Sequence, residues 1–148
     1  MNDPVAILKR DHRDVAQMLK TLEGSKPGAR RRQTVDKLTQ ALELHMEIEE
    51  RDIYPVVQRV VGTEEAEEAE IEHRLAREGL AEVRRLVDEP GFGAAVAMLT
   101  AGIRHHVKEE ETEVFPELKK NIDREELGEL GDRVAAAKKP KRRTAAAA

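Results

Sequence analysis

The sequence predicts an all-α protein: an antiparallel up-down-up-down four-helix bundle with a short C-terminal fifth helix and a disordered basic tail. Apolar residues recur at steps of three and four along four long segments, the spacing of one helix face. Short stretches rich in Gly, Pro, Ser and Asp separate those segments. Of 148 residues only Tyr54, Phe92 and Phe115 are aromatic, while 38% are charged. That composition suits helices packed through Leu, Val, Ile, Ala and Met better than a sheet. The length suits one domain, residues 1–137, followed by a basic, Ala-rich tail over 138–148.

Asp3-Pro4 marks the first helix start, a capping Asp before Pro at the first helical position. Val5, Leu8, His12, Val15, Leu19 and Leu22 then share a face, and the turn residues "GSKPG" end it. The second helix carries Val35, Leu38, Leu42, His45, Glu49, Ile53, Val56 and Val60, with Pro55 expected to kink or shorten it. Thr63 is the predicted cap of the third helix, whose seam is Ala66, Ala69, His73, Ala76, Leu80, Val83 and Val87. After the turn "DEPGFG" the fourth helix shows Val96, Leu99, Ile103, His106, Glu110 and Val114, again followed by a proline, Pro116. Asp123 caps the fifth, with Leu127, Leu130 and Val134 on its apolar edge and Gly128 and Gly131 weakening it. The tail lacks apolar periodicity. The helix pattern and tight turns favour a bundle over a coiled-coil dimer or an irregular helical domain.

Several function classes are excluded. There is no Cys, so disulfides, thiolate metal sites and Cys nucleophiles are absent. No nucleophilic triad or phosphate loop is recognisable. No stretch nears the roughly eighteen apolar residues of a membrane span, and the N-terminus lacks an export signal, so the expected location is cytoplasmic. Net charge is −4, with Lys138, Lys139, Lys141, Arg142 and Arg143 clustered in the tail. The acidic body argues against specific nucleic-acid binding and leaves only weak charge-driven contacts to the tail.

The informative residues are polar ones on apolar seams. His12, His45, His73 and His106 each sit where their neighbours one turn away are aliphatic. Glu49 and Glu110 follow His45 and His106 by four residues, on the same helix face with Cβ atoms about 5–6 Å apart. A buried ionised carboxylate destabilises a core by several kcal/mol unless paired or coordinated. The phrase is also written twice. "HMEIEERDIYP" at 45–55 and "HVKEEETEVFP" at 106–116 are offset by 61 residues, as are "DHR" at 11–13 and "EHR" at 72–74. Two helix hairpins packed about an approximate two-fold axis would converge His12, His45, Glu49, His73, His106 and Glu110 near the bundle centre. Imidazole and carboxylate together suit two first-row metal ions, with the carboxylates able to bridge. His105 lies off the seam and Glu50 and Glu111 turn about 100° from the ligand glutamates. Tyr54 is chemically able to bind Fe(III), but five residues past Glu49 it falls off that face, so it and Phe115, which cannot ligate, are expected to pack at the bundle end unless Pro55 bends the helix inward. Met18, Met46 and Met98 are expected to fill gaps.

These residues resemble the hemerythrin family, in particular its bacterial HHE-type cation-binding domain. The resemblance rests on His12 in "KRDHRDV", "HMEIEERDIYP", His73 in "EIEHRLA" and "HHVKEEETEVFP", and covers about residues 5–118. It implies a four-helix bundle around a non-haem di-iron centre, oxo- or hydroxo-bridged. His12, His45, Glu49, His73, His106 and Glu110 become iron ligands, and Glu49 and Glu110 the bridges. Oxygen-carrying members place two histidines four apart on the third helix; here Arg77 stands at that spacing from His73. One iron then has one nitrogen fewer, which weighs against reversible oxygen carriage.

The expected function is binding of a small ligand (oxygen, peroxide or nitric oxide) at the metal pair, for sensing, binding or detoxification. The alternative is a di-iron enzyme with catalase- or peroxidase-like activity on hydrogen peroxide. Iron handling and a metal-free polar network that fixes helix register stand behind these. A monomer or weak homo-oligomer is expected.

Overall fold

The computed structural model describes residues 2–140. Seven α-helices follow one another among them: α1 (Pro4–Leu22), α2 (Ala29–Ile48), α3 (Tyr54–Val60), α4 (Thr63–Arg85), α5 (Phe92–Glu109), α6 (Phe115–Asn121) and α7 (Arg124–Lys138). π-helical turns over Glu49–Ile53 and Glu110–Val114 join α2 to α3 and α5 to α6, so each pair is one long rod. The rods, α1 and α4 form the four-helix bundle, and α7 is the added C-terminal helix. The tail beyond residue 140 lies outside the described residues.

The caps follow the sequence closely. The Asp3 side chain accepts from the Val5 N–H with Pro4 in the first turn, and Asp123 accepts from the Glu126 N–H. The third-helix cap differs: Gly62 is the capping residue and Thr63 is already helical. The chain closes α3 with the Gly62 N–H on the Val57 carbonyl and turns straight into α4, one residue earlier than a threonine cap requires.

The prolines do not break the rods. Proline has no N–H and its ring crowds the carbonyl four residues back. Each π-turn relieves this locally by moving to i→i+5 bonding, with the Tyr54 N–H on the Glu49 carbonyl and the Phe115 N–H on that of Glu110.

Two apolar clusters fill the bundle, with the polar seam residues between them. One joins the loop-end halves of α1, α2, α4 and α5 through Leu19, Leu38, Met46, Leu80, Val83, Phe92 and Leu99. The other gathers Val5, Leu8, Ile48, Ile53, Val57, Phe115 and Leu118 under Leu130 and Val134 of α7. Gly131 of α7 has a specific role there: a Cβ at this position would collide with the Asn2 backbone, so the glycine lets the N-terminal segment lie against the helix. At the opposite end Arg31 is buried, bonding Ser25 and the Val87 carbonyl and lying 4.0 Å over the Phe92 ring. Met46 fills the core as expected, whereas Met98 is 76% exposed, since it falls outside the seam of α5.

Candidate metal centre

His12, His45, Glu49, His73 and Glu110 are all buried, Glu49 and Glu110 at 0% and 1% exposure, and the His106 side chain is 13% exposed. Their donor atoms converge. One atom each from His12, His45, Glu49 and Glu110 lies within 4.8 Å of the others, and so does one each from Glu49, His73 and His106. Glu49 belongs to both groups. Its Oε1 is 3.1 Å from His45 Nε2, 3.0 Å from His73 Nε2 and 3.7 Å from His106 Nε2. Glu110 spans the groups with separate oxygens, Oε1 being 3.0 Å from His12 Nε2 and Oε2 3.1 Å from His106 Nε2.

Each imidazole is oriented from behind by a carboxylate. His12 Nδ1 meets Glu111 at 2.6 Å, His45 Nδ1 meets Asp11 at 2.9 Å, His73 Nδ1 meets Glu50 at 2.7 Å and His106 Nδ1 meets Glu72 at 3.0 Å. A proton held at Nδ1 by such a partner leaves Nε2 as the free donor, the arrangement seen around metal-bound histidines. These pairs obey the 61-residue offset as the histidines do: Glu50 maps to Glu111 and Asp11 to Glu72. Two carry a cation further out. Lys138 donates to Asp11 at 2.6 Å, and Arg77 donates to Glu50 at 3.1 Å and lies 3.3 Å from Glu43. Arg77, which the sequence showed only as a departure, thus anchors the partner of His73.

Tyr54 differs from expectation. It is buried, and its hydroxyl lies in the middle of the cluster, donating to Glu110 Oε2 at 2.8 Å and 3.1 Å from Glu49 Oε1. The same oxygen is 3.0 Å from His73 Nε2 and 3.4 Å from His106 Nε2. The i→i+5 turn explains the change, because it swings residue 54 back toward the face of Glu49. Its counterpart Phe115 has no hydroxyl and stacks on His12 with ring centroids 6.0 Å apart. The two halves therefore differ chemically: a phenol attends His73 and His106, a bare ring attends His12. His105 points away, its side chain 64% exposed, near Glu109 and Glu72.

The electrostatics set the terms for a cation. Six carboxylates (Asp11, Glu49, Glu50, Glu72, Glu110, Glu111) surround four imidazoles, with Lys138 and Arg77 as fixed positive partners. Burial opposes charge on His45, but the negative charges of Glu49 and Glu110 and its bonds to Asp11 and Glu49 outweigh it, raising its pKa to about 10. His106 is opposed by burial in the same way and raised far above the ordinary range by Glu110, Glu49 and Glu72. Burial works against the charged form of Glu49, yet the surrounding imidazoles hold its pKa well below the usual carboxylate range. Burial and the charges of Glu49 and Glu110 push the Tyr54 phenol well above its ordinary value. Without a metal, then, protons on His45 and His106 offset part of the carboxylate charge.

Protons do not satisfy the whole set. His12 Nε2, His45 Nε2, Glu49 Oε2 and Glu110 Oε1 are buried without a hydrogen-bond partner, although they lie close to one another. Converging, unaligned lone pairs of nitrogen and carboxylate oxygen fit first-row metal cations. A small cavity of about 30 Å³ adjoins the four histidines and is walled by Val15, Leu42, Ile103 and Val107, with room for water or a diatomic molecule.

Protonation and metal binding compete for the same nitrogens. In metal-free protein the His45 contribution to stability is complete below pH 6.5 and is lost as pH rises through about 10. Thermal melts of chelator-treated protein are expected to fall across that window, and His45→Gln to flatten the fall. Metal uptake at neutral pH is expected to release protons, measurable with a pH indicator.

The fold and cluster together define a four-helix bundle protein with a buried histidine–carboxylate centre suited to cations. The model of the Hemerythrin HHE cation binding domain matches residues 3–118, and the chain belongs to that family. Among solved structures it is similar to a Hemerythrin HHE cation binding domain-containing protein from Mycobacterium kansasii. That likeness has 26% identity and a TM-score of 0.81, covering 92% of this chain and 85% of the other. No curated protein matches the chain in sequence.

Proposed function

We propose that the chain holds two iron ions and binds a small ligand (oxygen, peroxide or nitric oxide) at the pair. His12 and His45 would serve one ion, His73 and His106 the other, with Glu49 and Glu110 shared. The observation that carries this reading is the set of buried, unpartnered donor atoms on His12, His45, Glu49 and Glu110. Tyr54 is a further donor on the His73 side, where Arg77 replaces the second histidine of the oxygen carriers. A bound iron pair would supply Lewis acidity and redox capacity.

The chain's own residues do the rest. Asp11, Glu50, Glu72 and Glu111 fix the imidazoles, while Val15, Leu42, Ile103 and Val107 keep the cavity largely apolar. Tyr54 Oη holds a proton beside Glu110 Oε2. That proton favours the enzyme reading, consumption of hydrogen peroxide, because cleaving an O–O bond requires proton delivery. Among the described residues no helix is long and apolar enough to cross a membrane; the proposed setting is the cytoplasm, as a monomer or weak homo-oligomer. The domain is proposed to end near residue 137, with the basic tail outside it.

Hydrogen peroxide added to iron-loaded protein separates the readings. Sustained oxygen evolution, or turnover with a reductant, is expected of the enzyme; one stoichiometric spectral change is expected of the binding protein. Tyr54→Phe is expected to keep the fold and two metals per chain. It should slow peroxide consumption by about 10²-fold or more, the usual scale for a proton donor. A variant with the wild-type rate contradicts a role for the hydroxyl.

A further inference from the structure

The two-fold relation that governs the cluster fails on its flanks. α1 faces α5 across one seam of the bundle, and α4 faces α2 across the related seam. Between α1 and α5 runs a groove of about 190 Å³ whose lining includes His12, Ile103 and Val107. The same three residues wall the small cavity beside the histidines, so groove and cavity share a partition. Lys20, Arg104 and Lys108 also line the groove, with Glu23 the only acid there. None of these three cations makes an ion pair within 4.0 Å of an acid among the described residues, and all three are exposed.

Beside the cluster, the related seam is closed and of opposite charge. The offset maps Ala16 of the groove to Arg77, whose guanidinium bridges Glu43 of α2 and Glu50 of the π-turn. Val107 maps to the larger Met46, and Arg104 and Lys108 map to Glu43 and Glu47. A small residue and two cations on one side thus answer to a cross-linking arginine and two acids on the other. A hollow further along that seam is itself basic, with Arg32, Arg84 and Arg85 beside Asp36, but it reaches no member of the cluster.

We propose that the groove between α1 and α5 is the entry route for ligands to the buried centre, and that it selects small anions of two or three heavy atoms. This rests on the reading of the cluster as a metal centre. Lys20, Arg104 and Lys108 concentrate anions at the mouth, since a cleft of one charge sign raises the arrival rate of its counter-ion. Ile103 and Val107, both aliphatic, form the partition that an entering ligand displaces next to His12. A neutral diatomic uses the same door without the charge benefit.

Azide binding to the iron-loaded protein, followed by stopped-flow absorption, tests this. Wild type is expected to bind azide with an on-rate that falls as salt rises. The triple variant Lys20→Gln, Arg104→Gln, Lys108→Gln is expected to bind about tenfold more slowly at low salt. Its salt dependence should be nearly flat, with unchanged dissociation rate, iron content and nitric oxide on-rate. Val107→Phe should slow azide and nitric oxide alike, and Glu47→Gln, at the position related to Lys108, should change neither. Wild-type azide kinetics in the triple variant, or undiminished entry of both ligands in Val107→Phe, overturns the route. Wild-type protein that takes up no iron overturns the metal reading itself and the inference with it; iron uptake with a null result in the variants overturns the route alone.

Discussion

Glu49→Ala and Glu110→Ala are each expected to lose the bound metal and much of the stability of the protein. Glu49 is fully buried, and one of its oxygens faces three imidazoles and the Tyr54 hydroxyl within 3.7 Å. Removing it strips the shared carboxylate from both donor groups. In metal-free protein it takes one of two acidic partners from charged His45 and one of three from charged His106. Breaking a buried charge pair by deleting one side destabilises by about 3–5 kcal/mol, which for a chain of this size lowers Tm by roughly 10 °C. Glu49→Gln separates the two effects. It keeps the volume and a hydrogen-bonding oxygen without the charge, so it is expected to regain only the packing part of the lost stability while still losing metal. Elemental analysis with calorimetry reads both; Glu49→Ala with two metals per chain and wild-type melting contradicts the shared role.

His106→Ala and His105→Ala are expected to part company sharply, although the residues are adjacent. His106 Nε2 faces Glu110 at 3.1 Å and its Nδ1 is held by Glu72. Its loss leaves His73 as the one imidazole of its group, and the metal content should fall toward one ion per chain or fewer. His105 is mostly exposed, 3.2 Å from Glu109 on the surface of α5. Its replacement should leave metal content unchanged and alter stability by no more than about 0.5 kcal/mol. Equal loss of metal in both variants contradicts the assignment of His106 to the interior.

The seam residues were legible because two periodicities agree on them. Helical spacing selects the inward positions, and the 61-residue offset selects the same ones a second time. That is why His106 is distinguished from His105 without coordinates. The carboxylates behind the imidazoles were half legible. The echo of "DHR" in "EHR" contains Asp11 and Glu72, but Asp11 reaches His45 on another helix, and Glu72 reaches His106 likewise. Such a contact depends on how helices rotate against each other, which local spacing does not encode. Lys138 on Asp11 and Arg77 on Glu50 were hidden for the same reason.

Tyr54 was misplaced by the arithmetic of an ideal helix, which puts a residue five past Glu49 off its face. Pro55 alone suggests a kinked or shortened helix, whereas Pro55 and Pro116 both mark π-turns that absorb the strain and restore alignment. A duplicated Glu-Glu-x-x-aliphatic-aromatic-Pro phrase is therefore a signal for an inward aromatic residue, and its two versions set the asymmetry of the centre. One half gains a phenol and the other gains a phenyl ring against His12.

The central claim is that this interior is held together by a pair of cations. Anomalous diffraction at the iron edge, on crystals of protein purified without added metal, tests it most directly. Two peaks are expected inside the bundle, one beside His12 and His45 and one beside His73 and His106, with Glu49 and Glu110 between them. An interior without anomalous density, or one peak confined to the surface group of Glu68, Glu72, His105 and Glu109, contradicts the account.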